Sequence, residues 1–188
     1  MSIDDLVLRL SAVLDPLEAG EASTPPQRSD FDLNPEMRPA RSHELKQAAV
    51  LIPIIARETG PTVLLTRRAD TLNSHTGQVA FPGGRLDPGE GAVQAALREA
   101  GEEVGLIRPP LDLTLNPDEV AEAFETPWDF LMDAANHRRD SMVWNGAERW
   151  YWAMPWDDAG TERYIWGATA GMIRSLQQKL ATAVGPAT

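Results

Sequence analysis

Glu99, Glu102 and Glu103 lie three and four residues apart in the run EGAVQAALREAGEEV. On a helix this spacing puts their carboxylates on one face, within reach of a common point. Like charges so placed cost roughly 0.2–0.5 kcal/mol per pair, so a cation between them turns a liability into a site. Crowded oxygen ligands without imidazole or thiolate favour Mg²⁺, Mn²⁺ or Ca²⁺ over zinc. Arg98, one turn before Glu102, is placed to brace it, and Glu90 stands near the helix start, where the macrodipole favours an anion. Gly83 and Gly84 upstream let backbone carbonyls approach a metal closely. The competing reading of such a cluster is a solvated, charged helix face.

The elements that must position these groups are legible in outline. Ala92, Val93, Ala96, Leu97 and Ala100 form an apolar stripe at helical spacing, with Gly105 as a C-terminal stop. Residues 3–17 predict an amphipathic helix with Ser2 as N-cap, followed from Glu18 to about Glu44 by a Pro-, Ser-, Asp- and Arg-rich arm. QAAVLIPIIA (47–56) and TVLLT (62–66) predict paired buried strands, and Gln78–Phe81 a further short strand leading into a sharp loop at Pro82, Gly83 and Gly84. ERWYWAM (148–154) predicts a strand and Ile165–Val184 a long helix. Interleaved strands and helices imply a layered α/β domain.

The 188 residues suffice for one domain with a sizeable core. No apolar run approaches the roughly 20 residues of a membrane span, and the N-terminus lacks signal-peptide regions, so the expected location is the cytoplasm. Cysteine is absent, which leaves only oxygen or His to hold a metal. A formal charge of −11 argues against nucleic acid and anionic membranes as partners. A phosphate substrate then needs local help, from carboxylate-held divalent cations or from placed arginines.

From Gly84 to Leu106 the chain reads GRLDPGEGAVQAALREAGEEVGL. This resembles the Nudix box, with every fixed position matched: Gly84, Glu90, Arg98, Glu99, Glu102, Glu103 and Gly105. The resemblance implies an α/β/α sandwich around a mixed sheet, here spanning 45–188 with 1–44 as a helix and arm. It implies hydrolysis of a pyrophosphate bond in a nucleoside-diphosphate compound with Mg²⁺ or Mn²⁺. Glu99, Glu102 and Glu103, with the carbonyl of Gly84 or its neighbour Gly83, then correspond to metal ligands, and Arg98 and Glu90 to an orienting pair. The base that takes the proton of the attacking water stays open between a box glutamate and the later Glu119, Glu122 and Glu125.

Upstream, LLTRRADTLNSHTGQVAFPGG (64–84) resembles the coenzyme A pyrophosphatase branch of that family through Leu64, Leu65, Thr66, Arg68, Ala69, Gly77, Phe81, Pro82, Gly83 and Gly84. Asn73 stands where the branch usually carries Arg. NPDEVAEAF (116–124) and YIWGAT (164–169) resemble it more loosely. The resemblance implies coenzyme A or a derivative as substrate. Arg67 and Arg68 then suit its 3′-phosphate and His75 another phosphate contact, against the alternatives of surface ion pairs and a local hydrogen bond. Trp150, Tyr151 and Trp152 suit a core strand better than an adenine stack. Between Leu106 and Leu115 the family's fold places further strands, for which IRPPLDLT leaves almost no room, either through a deletion or through residues missing from the numbered sequence. A sheet without them has an open edge. A homodimer remains open.

Overall fold

The computed structural model describes residues 1–16, 30–38, 46–71, 76–106 and 112–183. Helix α1 (Ile3–Val13) begins at Ser2, whose Oγ accepts the Asp5 N–H at 3.1 Å. It stops short of the expected Leu17: Leu14 is already extended, and Asp15 precedes Pro16, which disfavours a helical conformation before it. The apolar face of α1 packs on the C-terminal helix, and Leu6 is 1% exposed within the main core.

The apolar run 47–56 splits at Pro53, which has no N–H to give a ladder. Before it, β1 (Ala48–Val50) pairs with β5 (Gly83–Arg85); after it, β2 (Ile54–Ile55) forms a hairpin with β3 (Thr62–Arg68). The glycines expected in a loop are therefore strand residues, with Gly84 opposite Ala49. Strand β3 is the spine of its sheet: β2 and β4 (Val79–Ala80) share one edge, and β6 (Val120–Pro127) runs along the other. The register between β3 and β6 slips at Arg67/Arg68, so Ala121 bulges out of the ladder. A third sheet is a meander of β7 (Arg138–Trp144), β8 (Ala147–Asp158) and β9 (Thr161–Trp166). Its first turn is Asn145-Gly146, both at positive φ, the geometry that matches the twist of a two-residue hairpin.

Helix α2 (Ala92–Val104) lies on β1, β5 and β6; the five-residue α3 (Trp128–Met132) and α4 (Gly167–Ala183) complete the α/β fold, with α4 over β8 and β9. Residues 165–166, expected in the last helix, belong instead to β9. Every pairing among the described residues is antiparallel, so the parallel component of a mixed sheet is not among them. After α2, Thr114 and Asn116 donate their N–H groups straight back to the Val104 and Glu103 carbonyls at 3.0 and 2.9 Å. No strand occurs among the described residues between α2 and β6, as the shortness of that segment implied, and 107–111 lie outside them.

His137, at the entry to β7, is buried, with Nε2 2.8 Å from the Leu131 carbonyl and Nδ1 without a partner. Burial is the main cause that lowers its pKa, so it folds neutral. A depressed histidine contributes stability in full above its unfolded value of about 6.5 and loses it as pH falls below that. Thermal melts should therefore show a decline in Tm below that pH that is smaller in His137→Gln. Leu6→Ala should cost about 2–5 kcal/mol in denaturant unfolding, because it empties a core position rather than trimming a surface helix.

Candidate functional site

The site is built on the second half of α2 and the strand before the helix. Gly105 ends the helix in a left-handed conformation (φ 68°), as expected of a C-terminal glycine. The buried face of the helix differs from the predicted stripe: Ala95, Ala96, Ala100, Glu103 and Val104 are buried, whereas Val93 and Leu97 are exposed. Small alanines let α2 lie close to β1 and β5, and that approach turns Glu99 and Glu103 toward Gly83 and Gly84.

Arg98 is the hub. Its Nε and Nη2 grip Glu90 at 2.9 and 3.0 Å, its Nη1 reaches Glu99 at 3.0 Å and Glu102 at 3.1 Å, and Nη2 also donates to the Arg85 carbonyl at 2.9 Å. These partners hold the guanidinium's pKa above its ordinary value, Glu90 being the largest cause. Glu90 in turn sits below the usual carboxylate range, through Arg98 first and then the Asp87 N–H. The expected orienting pair is thus brought together.

Glu99 lies against Gly84 so closely that a Cβ there would fall 2.4 Å from its carboxylate. A Cβ on Gly83 would meet the Ala49 carbonyl at 2.4 Å and the Val50 Cα at 2.6 Å, so backbone approach dictates glycine at that position. Glu103 is 5% exposed and accepts the Gly83 N–H at 3.3 Å. Burial pushes its carboxyl up to about 7, against the lowering by that hydrogen bond, with Glu119 raising and Arg68 lowering it further.

Glu99 and Glu103 beside two glycines, with Glu102 on the same stretch of helix, offer oxygen donors of the kind a hard divalent cation takes. The cradle at Gly84, where Glu99 fills the space a Cβ would need, fits that use. Among the described residues, no three acidic or His side chains form a preassembled cage. The cause is visible: Glu99 and Glu102 both turn to Arg98 Nη1, and Glu103 faces inward to Gly83.

The later glutamates separate by environment. Glu122 and Glu125, expected in a loop, are strand residues of β6, and both are tied up. Glu122 takes two bonds from Arg163 at 2.6 and 2.7 Å; Glu125 is held by Arg57 and by Thr62 Oγ1 at 2.6 Å. Glu119, in the turn before the β6 bulge, is the one whose charge acts on Glu103. The expected Arg67 and Arg68 pair is split by strand alternation. Arg67 bonds Asp70 at 3.0 Å and lies 3.8 Å from Glu122, while Arg68 is felt by Glu103 and keeps a buried Nε without an acceptor. His75 and Asn73 lie outside the described residues. Tyr151 is buried against Trp166, as a core strand requires. Sequence reasoning missed Arg163, whose tie to Glu122 crosses from one sheet to another over 41 residues and leaves no local signal.

With this geometry in view, a model of the NUDIX domain matches residues 45–140. An uncharacterized Nudix hydrolase NudL of Pectobacterium atrosepticum is 35% identical over 186 residues, covering 79% of this chain and 89% of that protein. Its namesake in Photorhabdus laumondii is 36% identical, covering 72% and 85%. A crystal structure of a Nudix hydrolase from M. smegmatis, RenU, is 20% identical with a TM-score of 0.48, covering 76% of this chain and 89% of that one.

Gly84→Ala tests the cradle. The new methyl displaces the flexible end of Glu99 and no backbone, so the fold should survive with Tm within a few degrees. Metal-dependent turnover should fall about 10- to 100-fold, the usual effect of misplacing a group that orients a metal site.

Proposed function

Because the chain belongs to the Nudix hydrolase family and so hydrolyses the pyrophosphate bond of a nucleoside-diphosphate derivative, we propose that its substrate is coenzyme A or an acyl form of it, cut to 4′-phosphopantetheine (or its acyl form) and adenosine 3′,5′-bisphosphate. The observation that carries this reading is the run from Leu64 to Gly84: its β3 end, β4 and β5 lead directly into the box glycines, and it includes an arginine, Arg68, with a buried, unsatisfied donor beside Glu103. A guanidinium incompletely satisfied within so acidic a protein suits a substrate phosphate.

In this reading Glu99, Glu102, Glu103 and the Gly84 carbonyl would hold Mg²⁺ or Mn²⁺, which would supply charge for the pyrophosphate oxygens and lower the pKa of a water. Arg98 and Glu90 keep the helix start and Arg85 in register. Among the later glutamates Glu119 is the one left to take the proton of the attacking water, since Arg163 and Arg57 hold Glu122 and Glu125, and a box glutamate is the alternative base. The water oxygen bonds to phosphorus, the bridging P–O bond breaks, and its electron pair leaves on the departing phosphate. Arg67, Arg68 and His75 bind substrate phosphates. Residues 45–188 form the catalytic domain and 1–44 an arm whose helix docks on α4. No helix among the described residues is long and apolar enough to cross a membrane. A chain without cysteine suits the reducing cytoplasm.

Purified protein with Mn²⁺ should turn over coenzyme A faster than ADP-ribose or a dinucleotide; the reverse order overturns the substrate assignment. Chelation should abolish activity and added Mn²⁺ restore it. Glu102→Gln should lower kcat/KM by about 10- to 100-fold or more, and a wild-type rate would end its role as a ligand.

A further inference from the structure

The β7–β8 hairpin is tied at Trp150 to Asn34, and Phe31 and Met37 line a cleft with Trp144, Asn145, Ala147 and Arg149 near its tip. Val143 is 77% exposed and Trp144 53%, and Asn145 to Glu148 around the turn are exposed too. Val143 and Trp144 are consecutive strand residues, so both faces of the tip present apolar side chains to water. Strand β7 is also an edge: among the described residues it pairs with β8 alone, over seven residues without proline or bulge. Long, unprotected edges with exposed apolar side chains pair with other strands unless something covers them.

We propose that β7 is covered by β7 of a second copy, joining two three-stranded meanders into one six-stranded antiparallel sheet across a twofold axis at Ser141. The strand's own sequence, RRDSMVW, selects that occupant and register. Centred on Ser141, Arg138 faces the second copy's Trp144, Arg139 faces Val143 and Asp140 faces Met142. Arginines with π-faces and apolar stems suit those neighbours, and no like charges stand directly opposite. The same guanidinium–indole chemistry already operates within the hairpin, where Arg149 lies 5.9 Å from the Trp144 ring centre and Arg139 5.0 Å from that of Trp150. Charge favours the edge as well: the molecule carries −11, yet the paired part of the hairpin, residues 138–153, holds Arg138, Arg139 and Arg149 against Asp140 and Glu148, so two copies meet away from the excess negative charge. Each residue contacts its counterpart's partner reciprocally, as a closed twofold interface requires.

The test is sedimentation velocity of the full-length protein across a concentration series. Wild type should run at about twice the 20.6 kDa chain mass as concentration rises. Val143→Arg, which sets a guanidinium opposite Arg139 of the second copy, should weaken the dimer at least tenfold. Val143→Glu should tighten it several-fold by setting a carboxylate there. Val143 is too exposed for either change to disturb folding, and coenzyme A hydrolysis should be unaltered in both, so failure here and failure of the catalytic reading are distinguishable. A monomer at every concentration overturns the proposal. So does a dimer indifferent to both substitutions, or a monomer that instead co-sediments with phosphatidylserine vesicles through this hairpin.

Discussion

A single guanidinium holds the candidate site in its present shape. Arg98 satisfies Glu90 with two bonds and Glu99 and Glu102 with one each, and it also reaches the Arg85 carbonyl. Without that cation, three carboxylates near one helix turn would repel, and the loop from Arg85 to Glu90 would have no tie to the helix it precedes. The arrangement also explains why the ligand set is not closed: Glu99 and Glu102 are already spoken for by an internal positive charge, which an external one must partly replace.

A second network does for the sheets what Arg98 does for the helix. Asp158, Arg163, Glu122, Arg67 and Asp70 form a line of alternating charge from β8 and β9 through β6 to β3. Arg163 is largely buried and also lies over the Phe124 ring at 4.6 Å, so its charge is compensated on several sides. Separate ladders are thereby joined by side chains where backbone bonds do not run. The bulge at Ala121 lies between Glu122, on the network, and Glu119, beside Glu103, so one extra residue sends two neighbouring glutamates to different duties.

Much of this was legible in the sequence where the signal is local. The box residues, the Gly105 stop and the Ser2 cap each depend on neighbours within a few positions, and they stand where spacing put them. The buried face of α2 was misread because size was mistaken for depth: Val93 and Leu97 look like core residues, yet the tight approach to Gly83 and Gly84 admits alanine and leaves the larger side chains outside. The same approach made strand residues of glycines that read as a loop. Arg67 and Arg68 looked like one cationic pair because adjacency in sequence hides the alternation of a strand. The ties of Glu122 and Glu125 could not be read at all, since their partners, Arg163 on β9, Thr62 on β3 and Arg57 in the β2–β3 connection, are far away in sequence.

The pairing of β3 with β6 has a consequence for the order in which the molecule assembles. The meander of β7, β8 and β9 closes through turns of two residues and can form early, whereas Thr66 finds Ala123 only after the chain between them, with all of α2, has been gathered in. The C-terminal meander can therefore stand on its own ladder before the central sheet is joined.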